Sequence, residues 1–545
     1  MPTDHTTTSD RRIDFRHVTG LVILCAIVFG LGLGSRALWD PDEGLHSATA
    51  KDMVTSGDWI TPQANGEPFF DKPPLFTWLV AWSFVALGFT EFAARLPAAL
   101  IGTATVLIVY LFGRRMFSTT AALLAAVALA TSVEQAVLSR TVVHDICLSL
   151  CVTLALLAVY RAYDDERHRR RYLVLAYVST GAAVLAKGPV GLLLPGAIFG
   201  IFLLARRDLG FVRKAMPVAG SLIFLVVAAP WYIAVSLANE SYLEYFFLEK
   251  NLGSFSSSVG RHPEPFYEYI PVIILGFLPW SWFLLLAVAR WFRRRSVANP
   301  AQLFAMIWFG FVFVFFSLAS SKLETYILPL FPAGALLVGD LWSEALGATD
   351  KRARRDLLIG YALLIATLLA EVVVIWVRLR SYPDVRPDLH FPVGITFTAI
   401  IGASVVLMVL FLAKRSYRAL FGTTAASMVA MVLFFSLGVA PALDPFKSTK
   451  AIARKIDALL PPGERITFYR EHRESALFYT ERRVRILHKL PELDAYLSQA
   501  GALCVIDRKK LKGSESLDDV QSPFRVILED GPKLIVEGLG RSSNK

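Results

Sequence analysis

The amino-acid sequence predicts an all-α polytopic membrane protein that ends in a small C-terminal α/β domain. Three observations predict it. Of the 545 residues, 55% are hydrophobic and only 19% charged, with a mean hydropathy of +0.51. Soluble domains run at about 45–50% apolar and about 25% charged. The apolar residues are also gathered into charge-free runs, among them 21–33, 121–130, 222–229 and 399–413. A helix of ~20 such residues crosses the ~30 Å hydrocarbon core of a bilayer. From about Lys447 the texture changes to short apolar runs separated by helix-like stretches, the pattern of a mixed α/β fold. These features exclude a soluble enzyme, a secreted disulfide scaffold and a free nucleic-acid binder.

In chain order, residues 1–17 form a polar tail expected in the cytoplasm, and 18–440 form the membrane domain. Apolar runs and charged breaks give about thirteen spans. They lie near 18–38, 92–112, 119–138, 142–162, 172–186, 189–205, 215–237, 266–289, 301–318, 325–343, 357–377, 392–413 and 419–438. Cationic residues orient such spans, because Lys and Arg are retained on the cytoplasmic side. One alternating set of breaks holds Arg11, Arg12 and Arg16, then Arg114 and Arg115, the arginine-rich 161–171, and 206–214. The same set continues with 290–295, 351–355, and Lys414, Arg415 and Arg418. The largest break of the other set, 39–72, has seven acidic residues against two lysines. The N-terminus is therefore expected inside and the acidic loop outside. Residues 73–88 are apolar, but counting them as a span would reverse every later loop. They are read as an interfacial helix on the outer face, with a proline in its first turn.

Thirteen crossings place the last domain, 441–545, outside. It is expected to hold a helix at 448–460, stopped by Pro461-Pro462-Gly463, and strands at 466–469, 484–487, 503–506 and 524–528. Cys25, Cys147 and Cys151 fall in apolar runs and Cys504 in a strand-like run, which is no disulfide framework.

The chemistry-bearing residues crowd the outer breaks, and the loop 39–91 is the expected active-site loop. Asp42 and Glu43 are adjacent carboxylates at the start of a surface helix, where acids also complement the helix dipole. Phe70-Asp71-Lys72-Pro73-Pro74 brings a cation to the interface. Arg140 and Asp145 flank a short turn, and Asp145 heads the next span. A carboxylate entering the membrane needs a partner or a function. Lys187 sits in a Lys-Gly-Pro turn between two short apolar runs. Arg261-His262-Pro263-Glu264 and Ser321-Lys322-Leu323-Glu324-Thr325-Tyr326 close two further breaks. Asp42, Glu43, Lys72, Arg140, Asp145, Lys187, Arg261, His262, Lys322 and Tyr326 thus share one expected face. Cations with paired acids suit a phosphorylated, membrane-embedded substrate: the cations hold phosphate and a carboxylate takes a proton from an incoming hydroxyl.

These residues also carry a resemblance. The Asp42-Glu43 pair, Gly57-Asp58-Trp59, Asn65-Gly66-Glu67-Pro68, residues 91–97, Arg140 to Asp145, Ala186-Lys187-Gly188-Pro189 and 321–329 follow one another in series. In that order they resemble the bacterial membrane glycosyltransferases of the GT-C fold, nearest to the lipid A aminoarabinose transferases and the protein mannosyltransferase-like group. The resemblance spans roughly 18–440. It implies an inner-membrane enzyme that moves a sugar from a polyprenyl-phosphate donor to a lipid A, glycan or protein hydroxyl, inverting the anomeric carbon. Asp42 is then the base, with Glu43 beside it and Asp145 as a second active-site carboxylate. Lys72, Arg140, Lys187, Arg261, Lys322 and Tyr326 are implied on the substrate side. Asp71 and His262 are implied as ligands of one divalent metal ion. No nucleotide cofactor and no nucleic-acid partner are expected, and the protein is expected to act as a monomer among membrane lipids. Two departures stand out: Gly44-Leu45-His46 follows the acidic pair where that group has Arg-Tyr, and Asp71 stands where Glu is common. The alternative reading is a transporter or flippase of polyprenyl-linked glycans, for which internal repeats and broken midplane helices would be the signature.

Overall fold

Long charge-free runs leave the backbone no partner in lipid except itself, so they fold as helices. The computed structural model describes residues 14–246, 264–294, 299–347, 351–381, 387–471, 474–511 and 517–540. Each of the thirteen expected spans coincides with helix. Among the described residues, eight helices are long and apolar enough to cross a membrane: Glu91–Met116, Asp145–Asp164, Pro217–Ala238, Pro300–Leu318, Glu324–Leu346, Lys351–Ser381, Asp388–Ala413 and Tyr417–Ala442. A ninth forms if the pair Tyr269–Gly276 and Ser281–Arg294, bent by 117°, counts as one span. Eight or nine of the helices thus meet the test of length and composition among the described residues. Phe15–Gly30, Thr119–Ala130 and Val190–Arg206 are shorter apolar helices of 10–17 residues. Arg169–Lys187 is long enough but opens on three arginines. Residues 73–88 contain the 13-residue helix Leu75–Leu87, about 20 Å long at 1.5 Å per residue, which is too short to span.

The chain forms two compact units. The first comprises Met1–Leu31, Asp71–Phe76 and Ala98–Phe434, and the second Gly32–Phe70, Thr77–Pro97 and Phe435–Lys545. Most of the loop expected to belong with the membrane domain, 39–91, is thus grouped with the C-terminal residues. The first unit is built of the membrane helices. Its largest buried side chains include Trp280, Trp308 and Trp342. Two of them satisfy their indole N–H inside the bundle, Trp280 on Thr131 Oγ1 at 3.0 Å and Trp308 on the Pro329 carbonyl at 2.8 Å, as a buried indole requires.

In the second unit, helix Asp42–Ser56 is followed by a two-stranded hairpin, β1 (Gln63–Ala64) and β2 (Glu67–Pro68). Asn65 and Gly66 turn it with φ of 56° and 77°, the positive pair that a tight hairpin favours. The C-terminal residues form a five-stranded sheet from β3 (Ile466–Tyr469), β4 (Val484–Leu487), β5 (Leu503–Asp507), β6 (Phe524–Asp530) and β7 (Lys533–Gly538), in the order β4-β3-β5-β7-β6. The first three strands run parallel, and β7 joins β5 and β6 antiparallel. Four of the strands coincide with the expected ones; β7 is an addition. Alternation along β5 builds two cores, since successive strand residues face opposite sides. Leu503 and Val505 pack with Ile452 and Ile456 of helix Lys450–Leu459. Cys504 and Ile506 pack with Leu493 and Leu497 of helix Leu490–Leu497. The four cysteines are all buried and free.

Candidate active site

In the second unit, the acidic pair divides its labour. Asp42 is the first residue of its helix and is exposed, whereas Glu43 is only 2% exposed. The Glu43 carboxylate accepts from Arg36 Nη1 at 2.5 Å, Arg95 Nε at 2.7 Å, Arg95 Nη2 at 2.9 Å and the Trp39 N–H at 3.0 Å. Arg95, fully buried, also donates to the carbonyls of Leu33 at 3.0 Å, Arg36 at 2.9 Å and Ala37 at 2.7 Å. Burial pushes the Glu43 carboxyl up, but Arg95 and then Arg36 more than reverse this and hold it down at about 2. A carboxylate so enclosed makes a poor proton acceptor. It fixes the chain around it instead, whereas Asp42 is exposed.

In the first unit, Asp145 opens its helix and Lys187 closes another, Arg169–Lys187. Asp145 is buried and Lys187 largely so, and the two form an ion pair between Lys187 Nζ and Asp145 Oδ1. Lys187 Nζ also lies 3.8 Å from the centre of the Tyr326 ring, a cation–π contact. Lys72 is close enough for its charge to act on both Asp145 and Lys187. Asp145, Lys187, Tyr326 and Lys72 are thus brought together. Two other expected cations are engaged by main chain. Arg140 donates to the carbonyls of Val28 at 2.7 Å and Leu31 at 2.6 Å, anchoring the end of the first helix. Lys322 Nζ donates to Ala319 O at 2.6 Å and Glu264 O at 2.9 Å. Asp71 accepts from the Tyr245 hydroxyl at 2.8 Å. Arg261 and His262 lie outside the described residues. Among the described residues no group of three or more His, Cys, Asp or Glu side chains could hold a metal ion.

The sequence profile of the dolichyl-phosphate-mannose-protein mannosyltransferase family matches residues 71–233, the stretch that holds Lys72, Arg140, Asp145 and Lys187. An uncharacterized protein of Aquifex aeolicus is 28% identical over 82% of this chain and 83% of its own. The undecaprenyl phosphate-alpha-4-amino-4-deoxy-L-arabinose arabinosyl transferase 2 of Proteus mirabilis is 29% identical over 65% of each chain, so the match stops just short of two thirds of that relative. The crystal structure of ArnT from Cupriavidus metallidurans bound to undecaprenyl phosphate superposes with a TM-score of 0.77 over 97% of this chain and 99% of that one, at 23% identity. The chain has the fold of ArnT, the GT-C fold. The expected fold class is present: a helical membrane bundle with a small C-terminal sheet domain.

Several residues at the site escaped the sequence reading. Arg36 and Arg95 enclose Glu43, and Glu134 stands close enough to Glu324 and Asp145 for their charges to act on it. Arg95 lay inside the quoted 91–97 motif, and an arginine placed four residues into a long apolar helix was the available signal, because such a cation requires a buried partner. Nothing comparable flagged Glu134, which stands beside the uncharged break at Thr131-Ser132.

Proposed function

We propose that this glycosyltransferase takes its sugar from a polyprenyl-phosphate donor on the extracytoplasmic face of the inner membrane and passes it to a hydroxyl of lipid A or another envelope glycan or protein. The observation that carries the reading is the group formed by Asp145, Lys187 and Tyr326, with the charge of Lys72 acting on it. It lies in a chain of ArnT-like fold, and ArnT of C. metallidurans is known bound to undecaprenyl phosphate.

In the proposed reaction the acceptor oxygen attacks the anomeric carbon, the bond from that carbon to the phosphate oxygen breaks, and the configuration inverts. Asp42 takes the acceptor proton. Polyprenyl phosphate departs as an anion, and Lys72 and Lys187 stabilise the charge that develops on it, an effect strengthened where water is excluded. Asp145 holds Lys187 in place through their ion pair. Glu43 acts by holding the loop that carries Asp42. Arg261 is assigned to the donor phosphate in this reading. A divalent ion at Asp71 and His262 is kept apart from the steps. Loss of transfer on chelation, restored by a divalent cation, would assign it a role, and unchanged transfer would remove it. The protein works as a monomer in this reading, with its N-terminus cytoplasmic and residues 441–545 outside.

The test uses wild type and Asp42→Asn purified in detergent and incubated with membrane lipid extracts that contain polyprenyl-phosphate sugars. Mass spectrometry follows the donors and any glycosylated lipid or protein. Wild type is expected to consume one donor and place that sugar on an acceptor, with transfer by Asp42→Asn reduced at least a thousandfold. Equal transfer by Asp42→Asn removes Asp42 as the base. No donor consumption by folded wild type moves the assignment to transport.

A further inference from the structure

The segment that leads into Asp42 has no regular backbone structure of its own, so its N–H groups must find partners elsewhere. Within the second unit, three of four consecutive ones find them more than 400 positions further along the chain. The Ala37 N–H donates to Asp444 Oδ2 at 2.8 Å, the Leu38 N–H to the Tyr479 hydroxyl at 2.7 Å, and the Asp40 N–H to the Lys447 carbonyl at 2.8 Å. The fourth, Trp39, donates its backbone N–H to Glu43 and its indole N–H to Asp444 Oδ1 at 2.9 Å.

Asp40 is gripped at both carboxylate oxygens. The Ser475 N–H donates to Oδ1 at 2.6 Å and the Ser475 hydroxyl to Oδ2 at 2.7 Å. Ser475 is fully buried, and its hydroxyl accepts from the Thr449 N–H at 3.1 Å and lies 2.7 Å from Thr449 Oγ1. Both of these residues belong to the C-terminal α/β fold. Helix Asp42–Ser56 is pressed against the same turn. A Cβ placed on Gly44 would lie 2.3 Å from Ser475 N and 2.7 Å from Ser475 Cα, so only glycine admits this approach. Tyr479 extends the grip by donating to Glu91 Oε1 at 3.1 Å, a carboxylate also paired with Lys450 at 2.5 Å.

We infer that the C-terminal α/β domain is the positioning element for Asp42, acting through Ser475 and Tyr479 on the 37–44 segment. The inference rests on the reading of Asp42 as the proton acceptor. A domain that merely covered the site would leave the 37–40 backbone to be satisfied locally or by water. Here the terminal domain supplies the register of that backbone, and with it the place from which the Asp42 helix starts. Ser475 and Tyr479 are positioning residues, since they touch Asp40 and Leu38 rather than substrate. Displacement of a reacting group by about 1 Å can cost about 100-fold in rate, so loss of one contact here is expected to be read in turnover.

The experiment uses the full-length protein with Ser475→Ala, Tyr479→Phe and Asp42→Asn in parallel, measuring kcat, donor KM and thermal unfolding. Ser475→Ala keeps the N–H bond to Asp40 and loses only the hydroxyl bond, so it is expected to fold. Tyr479→Phe is the independent second variant. Each is expected to lower kcat at least tenfold with donor KM within about twofold and an unfolding temperature close to wild type. Wild-type kcat in both, beside an inactive Asp42→Asn, overturns the positioning role and leaves the base assignment standing. A fall in kcat that only parallels lost stability, or that is matched by a rise in donor KM, also overturns it. An active Asp42→Asn overturns the base assignment and this inference with it.

Discussion

Glu43 sits between two guanidinium groups with almost no access to water, and removing its charge strands both of them. Breaking a buried pair from one side costs about 3–5 kcal/mol, because the remaining charge has no compensation. Glu43→Gln is therefore expected to lower stability by about that amount at neutral pH. The pH dependence follows from the proton balance. Unfolded, the carboxyl titrates at about 4.3; folded, it is held at about 2. Between those values the unfolded chain binds the proton and the native chain does not, so stability falls as pH falls through this window. The contribution is fully present above about pH 5. Thermal unfolding of wild type and Glu43→Gln from pH 7 to pH 3 checks this: the gap between them is expected to narrow on acidification, and a constant gap would contradict the charge-based account. The acidic pair itself was legible in the sequence. Which member is enclosed was not, because that depends on Arg95, 52 positions away, and on a backbone shared by Leu33, Arg36 and Ala37.

At the level of elements, hydropathy located the helices but not their interruptions. Thr131-Ser132 and the stretch 277–280 carry no charge, so nothing in composition marks the breaks. Both occur, and each supplies what the other lacks. The Val133 N–H donates to the Leu278 carbonyl at 3.1 Å, and the Trp280 indole donates to Thr131 at 3.0 Å. Freed backbone in a bundle is tolerated when neighbouring segments satisfy it again. Strand β7 was missed for a different reason. It pairs with β5 and β6 on both sides and therefore reads as a buried apolar run without alternation. The turn after Lys187 was legible and carries a prediction. Gly188 ends helix Arg169–Lys187 at φ 86°, ψ −150°, a conformation essentially reserved for glycine. Gly188→Ala is expected to cost about 1–3 kcal/mol and to pull Lys187 out of register with Asp145. A lowered unfolding temperature together with a loss of transfer larger than the stability change explains is the expected result. An active, equally stable variant would show that the turn does not set the lysine.

On the scale of the whole molecule, charge asymmetry between alternate breaks predicts sidedness, and the free cysteines make that prediction measurable. Lys and Arg near helix ends stay on the cytoplasmic side because their transfer is costly. The arginine-rich break at 161–171 and the acidic helix Asp42–Ser56 are therefore expected on opposite faces. Cys25, Cys147, Cys151 and Cys504 are all buried, so a thiol introduced at an exposed position reports above a low background. Ser56 and Arg170 are both exposed. In intact spheroplasts a membrane-impermeant maleimide is expected to label Ser56→Cys and to leave Arg170→Cys unlabelled until the membrane is permeabilised. The reverse pattern would turn the protein over and place Asp42 on the face where charge counting puts the arginines. Labelling of both from outside would mean that the segments between residues 56 and 170 cross an even number of times. One of the shorter helices, such as Thr119–Ala130, would then fail to complete its crossing, because a segment of 12 residues reaches only about 18 Å at 1.5 Å per residue. The two thiols thus test at once the direction of the chain and whether the broken spans cross.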